Sequence, residues 1–285
     1  MSIILLNPRS ARWNHRAPLS LLALGSVLEG QHEYLIIDEN YEQRVERRLV
    51  EEIRSRGVRY LGITAMPGPQ LVRAVSISRA MKESFPHLKV IWGGTFPTIH
   101  TDTVLKSSYV DFVVRGQGEL TFLELIDVLE RGGSLESIEG LSYRKNGSII
   151  HNPHRELVHP DSLPPLPYHG IDFGQYLRRT YLGNRTTGFH SSIGCPFHCG
   201  FCSVVAMFSG RWLAKSAESV ANEIIELQTV YGVDSVEFFD DNFFTSEKRV
   251  AEFAERIRTR GINWWGEGRS DTLLNYFAQH KIFIP

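Results

Sequence analysis

The chain has 285 residues, 42% of them hydrophobic and 22% charged, ordinary values for a folded protein with room for more than one core. Lys+Arg 31 against Asp+Glu 32 leaves a net charge of −1 and no basic stripe stands out, which argues against nucleic acid as a partner. No apolar run reaches the roughly 20 residues of a membrane span, and the N-terminus has no charged leader before its short apolar run, so a cytoplasmic protein is expected.

From Ile3 to about Gly132 one unit repeats: a short apolar run, turn residues, then a longer segment of helical period. The spacing predicts strands at Ile3–Leu6, Tyr34–Asp38, Tyr60–Thr64, Val90–Trp92 and Phe112–Arg115. Helices are expected over Pro18–Gln31, Tyr41–Arg56, Gln70–Phe85, Thr101–Ser108 and Thr121–Arg131, with Gly57 and Gly132 as their natural stops. Strands too apolar to face water on either side, alternating with helices, predict a parallel sheet covered on both faces.

In such sheets a ligand sits beyond the carboxyl ends of the strands. Glycine concentrates there after the fourth and fifth strands, at Gly93–Gly94 and at Gly116 and Gly118. Strand-to-helix turns favour glycine for their own sake, but close approach of a flat or phosphate-bearing ligand has the same requirement. No G-x-G-x-x-G follows the first strand, which argues against a nicotinamide dinucleotide.

"IEGLSYRKNGSIIHNP" predicts a β-hairpin turning at Asn146–Gly147, and the proline-rich "HPDSLPPLPYHGIDF" predicts a stiff linker. The expected organisation is a first domain over 1–140, a hairpin and linker over 141–184, and a second β/α region over 185–285. In that second region the strands are expected at Thr187–Ile193, Ser235–Phe239 and Ile262–Trp265, and the helices at Ser216–Tyr231 and Ser246–Arg260. One more short helix is expected before "KIFIP".

All three cysteines of the chain, Cys195, Cys199 and Cys202, fall in "SSIGCPFHCGFCSV", at the carboxyl end of the first of these strands. Four readings compete. Buried structural thiols do not explain the clustering. A thioredoxin-type dithiol in "CGFC" leaves Cys195 without a role. Structural zinc recruiting His190 or His198 lacks the distant second ligand pair that such sites use. An iron–sulfur cubane, ordinarily held by four thiolates, would here keep one iron open, and an open iron does chemistry.

"CPFHCGFC" has the C-x3-C-x2-C form, with an aromatic before the last cysteine, and resembles the radical S-adenosylmethionine (SAM) enzymes. Upstream, "IILLNP", "PLSLLALGSVLEG", "YLIIDEN", "VIWGGTFPT" and "VDFVVRGQGELTFLELI" resemble the cobalamin-binding domain of one class of that family. "EFFDDNFF" resembles its second barrel strand. The class includes anaerobic magnesium-protoporphyrin monomethyl ester cyclases and hopanoid-modifying methylases.

The resemblance implies an N-terminal Rossmann-like (flavodoxin-like) domain followed by a partial (β/α) radical SAM barrel. It implies a [4Fe–4S] cluster on Cys195, Cys199 and Cys202, S-adenosylmethionine on the open iron, and an external electron donor of the flavodoxin or ferredoxin type. Phe201 is expected beside the adenine, and Asp240, Asp241, Asn242, Glu267 and Arg269 near the cosubstrate, although the aspartates could equally cap the next helix. Gly93, Gly94, Thr95, Pro97, Gly116 and Gly118 are the expected cobalamin side.

Two departures accompany the resemblance. The D-x-H-x-x-G that supplies a lower cobalt ligand is represented only by "WNHRAP", so His15 is expected to be a loop histidine and cobalamin to lack a histidine ligand. The later barrel strands and a substrate domain are not in the sequence, so the chain is taken as a truncated member. The implied function is methyl transfer or radical cyclisation on a bulky, largely apolar small molecule. The alternative is a fragment that binds cobalamin or cluster without turnover.

Overall fold

A computed structural model describes residues 2–10 and 16–272. The chain divides into two compact units: Met1–Glu156 with Pro164–Ile171, and Leu157–Leu163 with Asp172–Pro285.

The first unit is built on β1 (Ile3–Asn7), α1 (Leu19–Leu28), β2 (Tyr34–Asp38), α2 (Val45–Arg56), β3 (Tyr60–Thr64), α3 (Pro69–Ser84) and β4 (Lys89–Gly93). It continues through α4 (Thr95–Ile99), α5 (Thr101–Leu105), β5 (Phe112–Val114), α6 (Glu119–Arg131), β6 (Leu141–Lys145) and β7 (Ser148–His151). The sheet order is β2-β1-β3-β4-β5-β6-β7, with the first five strands parallel. Every residue of β1 is buried, as a central strand covered on both faces requires.

Three sequence expectations change. The hairpin grouped with the linker is instead the edge of this sheet: β6 pairs antiparallel to β5, setting Tyr143 against Phe112. The buried Arg115 guanidinium fastens it by donating to the carbonyls of Asn152 and Leu141. Second, α2 starts at Val45 rather than Tyr41, because the N–H groups of Tyr41 and Glu42 turn back to the Asp38 carbonyl. Third, an unexpected helical turn, α4, precedes α5. Pro97 sits in its first turn, where a missing N–H loses no helical bond.

The second unit contains β8 (Thr186–Phe189), β9 (Ser192–Gly194), α7 (Ser203–Phe208), β10 (Trp212–Ala214) and α8 (Ala217–Tyr231). β11 (Ser235–Phe238), α9 (Glu247–Ile257) and β12 (Asn263–Gly266) follow. β12-β11-β8 form a parallel sheet, as expected of the start of a β/α barrel. Ser216 and Ser246 cap α8 and α9 through their side chains, so both helices begin where the sequence places them. Val250, Phe253 and Ile257 on α9 are buried, and Phe253 meets Phe238, Phe243 and Trp264 edge-on.

The strand expected at Thr187–Ile193 is broken in two. β8 ends at Phe189, and β9 turns away to pair antiparallel with β10. Among the described residues no helix is long and apolar enough to cross a membrane. His15 and the segment from Leu273 onward, including the expected last helix, lie outside the described residues.

Candidate functional site

The cysteine loop leaves β9 through Gly194, whose φ of +74° belongs to the left-handed region. A Cβ there would lie 2.3 Å from the Arg211 carbonyl oxygen, so glycine is required both by conformation and by the close approach of β10. Beyond it the three cysteines are half-buried and free of disulfides. The Cys202 N–H donates to the Cys199 carbonyl at 3.0 Å, closing a tight turn, and α7 begins at the next residue.

Among the described residues no three His, Cys, Asp or Glu side chains gather around one point as for a single metal ion. The histidines proposed for zinc are otherwise engaged. The His198 ring lies against Gly210, where a Cβ would stand 2.4 Å from its Cε1, and His190 meets the Phe239 ring edge-on at 6.2 Å. A cubane takes one thiolate per iron, so its ligands surround a cluster rather than converge on an ion. Three free, solvent-reached thiols in one loop are a donor set that fits it.

The break between β8 and β9 has a cause. Asp240, buried just beyond β11, accepts the Ser191 N–H at 3.1 Å and the Ser191 hydroxyl at 2.9 Å, and also the Ser192 hydroxyl. Arg249 of α9 donates to the same Ser191 hydroxyl at 2.9 Å and to the Phe243 carbonyl at 3.3 Å. The chain is thus pinned immediately before the cysteine loop. Ser191 and Arg249 belong to no motif: the first lies within the expected strand Thr187–Ile193 and the second within the expected helix Ser246–Arg260, and neither is singled out by the sequence.

The other expected residues differ in their surroundings. Asp241 reaches solvent, yet loss of hydration, followed by the Asp240 and Glu267 charges, raises its pKa above the ordinary carboxylate value. Asn242 is fully buried, and neither its Nδ2 nor its Oδ1 has a hydrogen-bond partner. Glu267 is exposed, and its carbonyl accepts the Phe243 N–H at 2.9 Å. Phe201 is 93% exposed, an aromatic face open to solvent between the half-buried Cys199 and Cys202. Arg269 turns to the cysteine loop: its guanidinium lies 4.1 Å from the Phe197 ring centre and donates to Cys199 Sγ at 3.0 Å.

In the first unit the glycine loops meet at the carboxyl ends of β4 and β5. Gly94 has φ +98°, and a Cβ would stand 3.1 Å from the Ala65 carbonyl oxygen. Thr95 then opens α4, and Pro97 is buried. The Gly116 N–H donates to Thr98 Oγ1 at 3.0 Å, tying the two loops together. Gly118, where a Cβ would be 3.2 Å from Val114, leads into α6. Next to it, burial raises the pKa of Glu119, which had not been singled out from the sequence. A separate polar cleft of about 550 Å³, lined by His32, Arg56, Arg59 and Glu130, opens at the amino ends of β1, β2 and β3. That end of a parallel sheet is not where ligands collect.

The B12 binding domain family matches residues 15–126. The chain is 32% identical over 269 residues to an uncharacterised methyltransferase of Pyrococcus horikoshii, covering 90% of this chain and 56% of that protein. It is 27% identical over 275 residues to the anaerobic magnesium-protoporphyrin IX monomethyl ester cyclase of Synechocystis, covering 92% and 54%. The chain thus spans about half the length of the curated relatives it matches. Among solved structures it resembles the radical SAM methyltransferase TsrM of Kitasatospora setae with cobalamin and [4Fe–4S] cluster bound, with a TM-score of 0.68. That likeness covers 90% of this chain and 50% of TsrM at 18% identity, and it shows the fold.

Proposed function

The chain is a relative of the cobalamin-binding radical S-adenosylmethionine proteins, and from that premise we propose that it is part of such an enzyme. Cys195, Cys199 and Cys202 hold its [4Fe–4S] cluster, and the loops at Gly93–Pro97 and Gly116–Gly118 receive its cobalamin. One observation carries the reading: all three cysteines of the sequence stand free in a single loop, reached from the first strand of a parallel β/α unit. The name of the Pyrococcus relative favours methyl transfer over cyclisation.

When bound, the cluster supplies the electron that splits S-adenosylmethionine into methionine and a 5′-deoxyadenosyl radical, and cobalamin serves as methyl carrier. The residues of the chain do the holding. Asp240 and Arg249 fix the backbone at Ser191–Ser192, so the three thiols leave from a set point. Asn242 offers an unsatisfied donor and acceptor in a buried place, where an unmade hydrogen bond costs about 1–3 kcal/mol and a polar ligand atom or water removes that cost. Phe201 offers an open aromatic face for the adenine to stack on.

The test is anaerobic reconstitution with iron, sulfide and hydroxocobalamin, then dithionite and S-adenosylmethionine, with assay for 5′-deoxyadenosine. Iron uptake is expected to fall in C195S, C199S and C202S alike. Zinc uptake with no iron would sink the reading. A cluster spectrum without nucleoside would leave a binding module instead of an enzyme.

A further inference from the structure

We infer that Arg269 sets the reduction potential of the cluster on the cysteine loop, rather than binding the cosubstrate. The inference rests on the reading of that loop as an iron–sulfur site.

Each of its three guanidinium nitrogens is engaged. Nη1 donates to Cys199 Sγ at 3.0 Å, while Nε and Nη2 donate to Asp271 Oδ1 and Oδ2 at 3.0 and 2.7 Å. The face of the guanidinium lies over Phe197, between the first two cysteines. The group is therefore oriented from three sides, and Asp271 holds it at the sulfur rather than competing with the sulfur for it. The thiolate keeps lone pairs after it binds iron, so the hydrogen bond survives ligation. A guanidinium stays protonated throughout the working pH range, so its charge at Cys199 is fixed.

The step affected is uptake of one electron from an external one-electron donor, the cluster passing from [4Fe–4S]2+ to [4Fe–4S]+ with no protein bond made or broken. The reduced cluster carries one more negative charge. A fixed cation and a hydrogen bond on a ligating sulfur stabilise that form and raise its potential. Motif matching passes over both Phe197, which fills an unspecified position inside C-x3-C, and Asp271, which lies far outside it.

The experiment compares wild type, R269Q and R269K, reconstituted anaerobically to equal iron and sulfide. Their reduced clusters are followed by EPR in a mediator titration without S-adenosylmethionine. R269Q is expected to lower the reduction equilibrium constant about tenfold, a shift of about 59 mV to more negative potential. R269K, which keeps the charge but not the fork, is expected in between. An unchanged midpoint in R269Q at equal loading overturns the inference and leaves the iron–sulfur reading intact. Failure of wild type to take up iron overturns both. If R269Q loads poorly, R269K decides: at wild-type iron loading its midpoint must lie below that of wild type, because the single ammonium cannot hold both the Cys199 sulfur and Asp271 as the fork does, and an unchanged midpoint overturns the inference.

Discussion

Asp240 and Ser191, 49 residues apart in sequence, are joined by two hydrogen bonds, the Ser191 N–H at 3.1 Å and its hydroxyl at 2.9 Å both donating to the buried carboxylate. This contact ends one strand, starts the next in a new direction, and so sets where the cysteine loop begins. Replacing Asp240 by Ala strands three donors in a buried place. We expect a loss of about 3 kcal/mol in denaturant unfolding, with iron per chain falling in parallel, whereas Thr229→Ala on the solvent side of α8 changes neither. A D240A protein of unchanged stability would show that the clamp is idle.

Asp241 gives a pH signature. Its folded pKa is raised above the ordinary 3.8, by lost hydration first and by Asp240 and Glu267 next. A raised acid favours folding fully only below its unfolded pKa, and that contribution disappears as pH rises through the folded value. D241N should therefore be more stable than wild type near pH 7, with the advantage shrinking as pH falls toward 3.8. Melting temperatures of the two proteins across that range check it. An advantage that grows on acidification would reverse the assignment.

Two glycines in or beside the cysteine loop should behave oppositely. Gly194 combines φ +74° with a Cβ position 2.3 Å from a backbone oxygen, whereas a Cβ on Gly200 meets nothing within 4 Å. G194A should cost about 1–2 kcal/mol in backbone strain alone and more for the clash, and should depress iron loading. G200A should stay within about 0.5 kcal/mol of wild type. Equal behaviour of the two would mean that the loop is not held against β10.

On the first unit, G94A sets a Cβ 3.1 Å from the Ala65 carbonyl and Thr64 Oγ1 at a positive φ. Hydroxocobalamin binding, followed by visible absorbance after gel filtration, should fall at least tenfold while far-ultraviolet circular dichroism is retained. Undiminished binding would move the corrinoid away from this loop.

Much of the framework is legible in local pattern. Tyr34–Asp38 and Tyr60–Thr64 form strands at the predicted residues, because a continuous apolar run bounded by turn residues has one good solution. Gly57 and Gly232 end their helices in the left-handed conformation that a cap needs. The hairpin is legible as a hairpin, but not as an edge of the first sheet. That depends on Leu141 and Tyr143 finding Phe112 and Val114, a pairing across about thirty residues with no local mark.

The sequence by itself determined the alternation of strand and helix in both halves and the confinement of every thiol to one loop. Those are matters of periodicity and composition, which each segment carries within itself. The tertiary structure alone decided where the strand before the cysteines breaks, and that Arg269 turns toward Cys199 while Asp240 turns toward Ser191. Hydrogen bonds between charged groups and partners tens of residues away depend on how β8, β11 and β12 align, and a parallel register is set only when the strands meet.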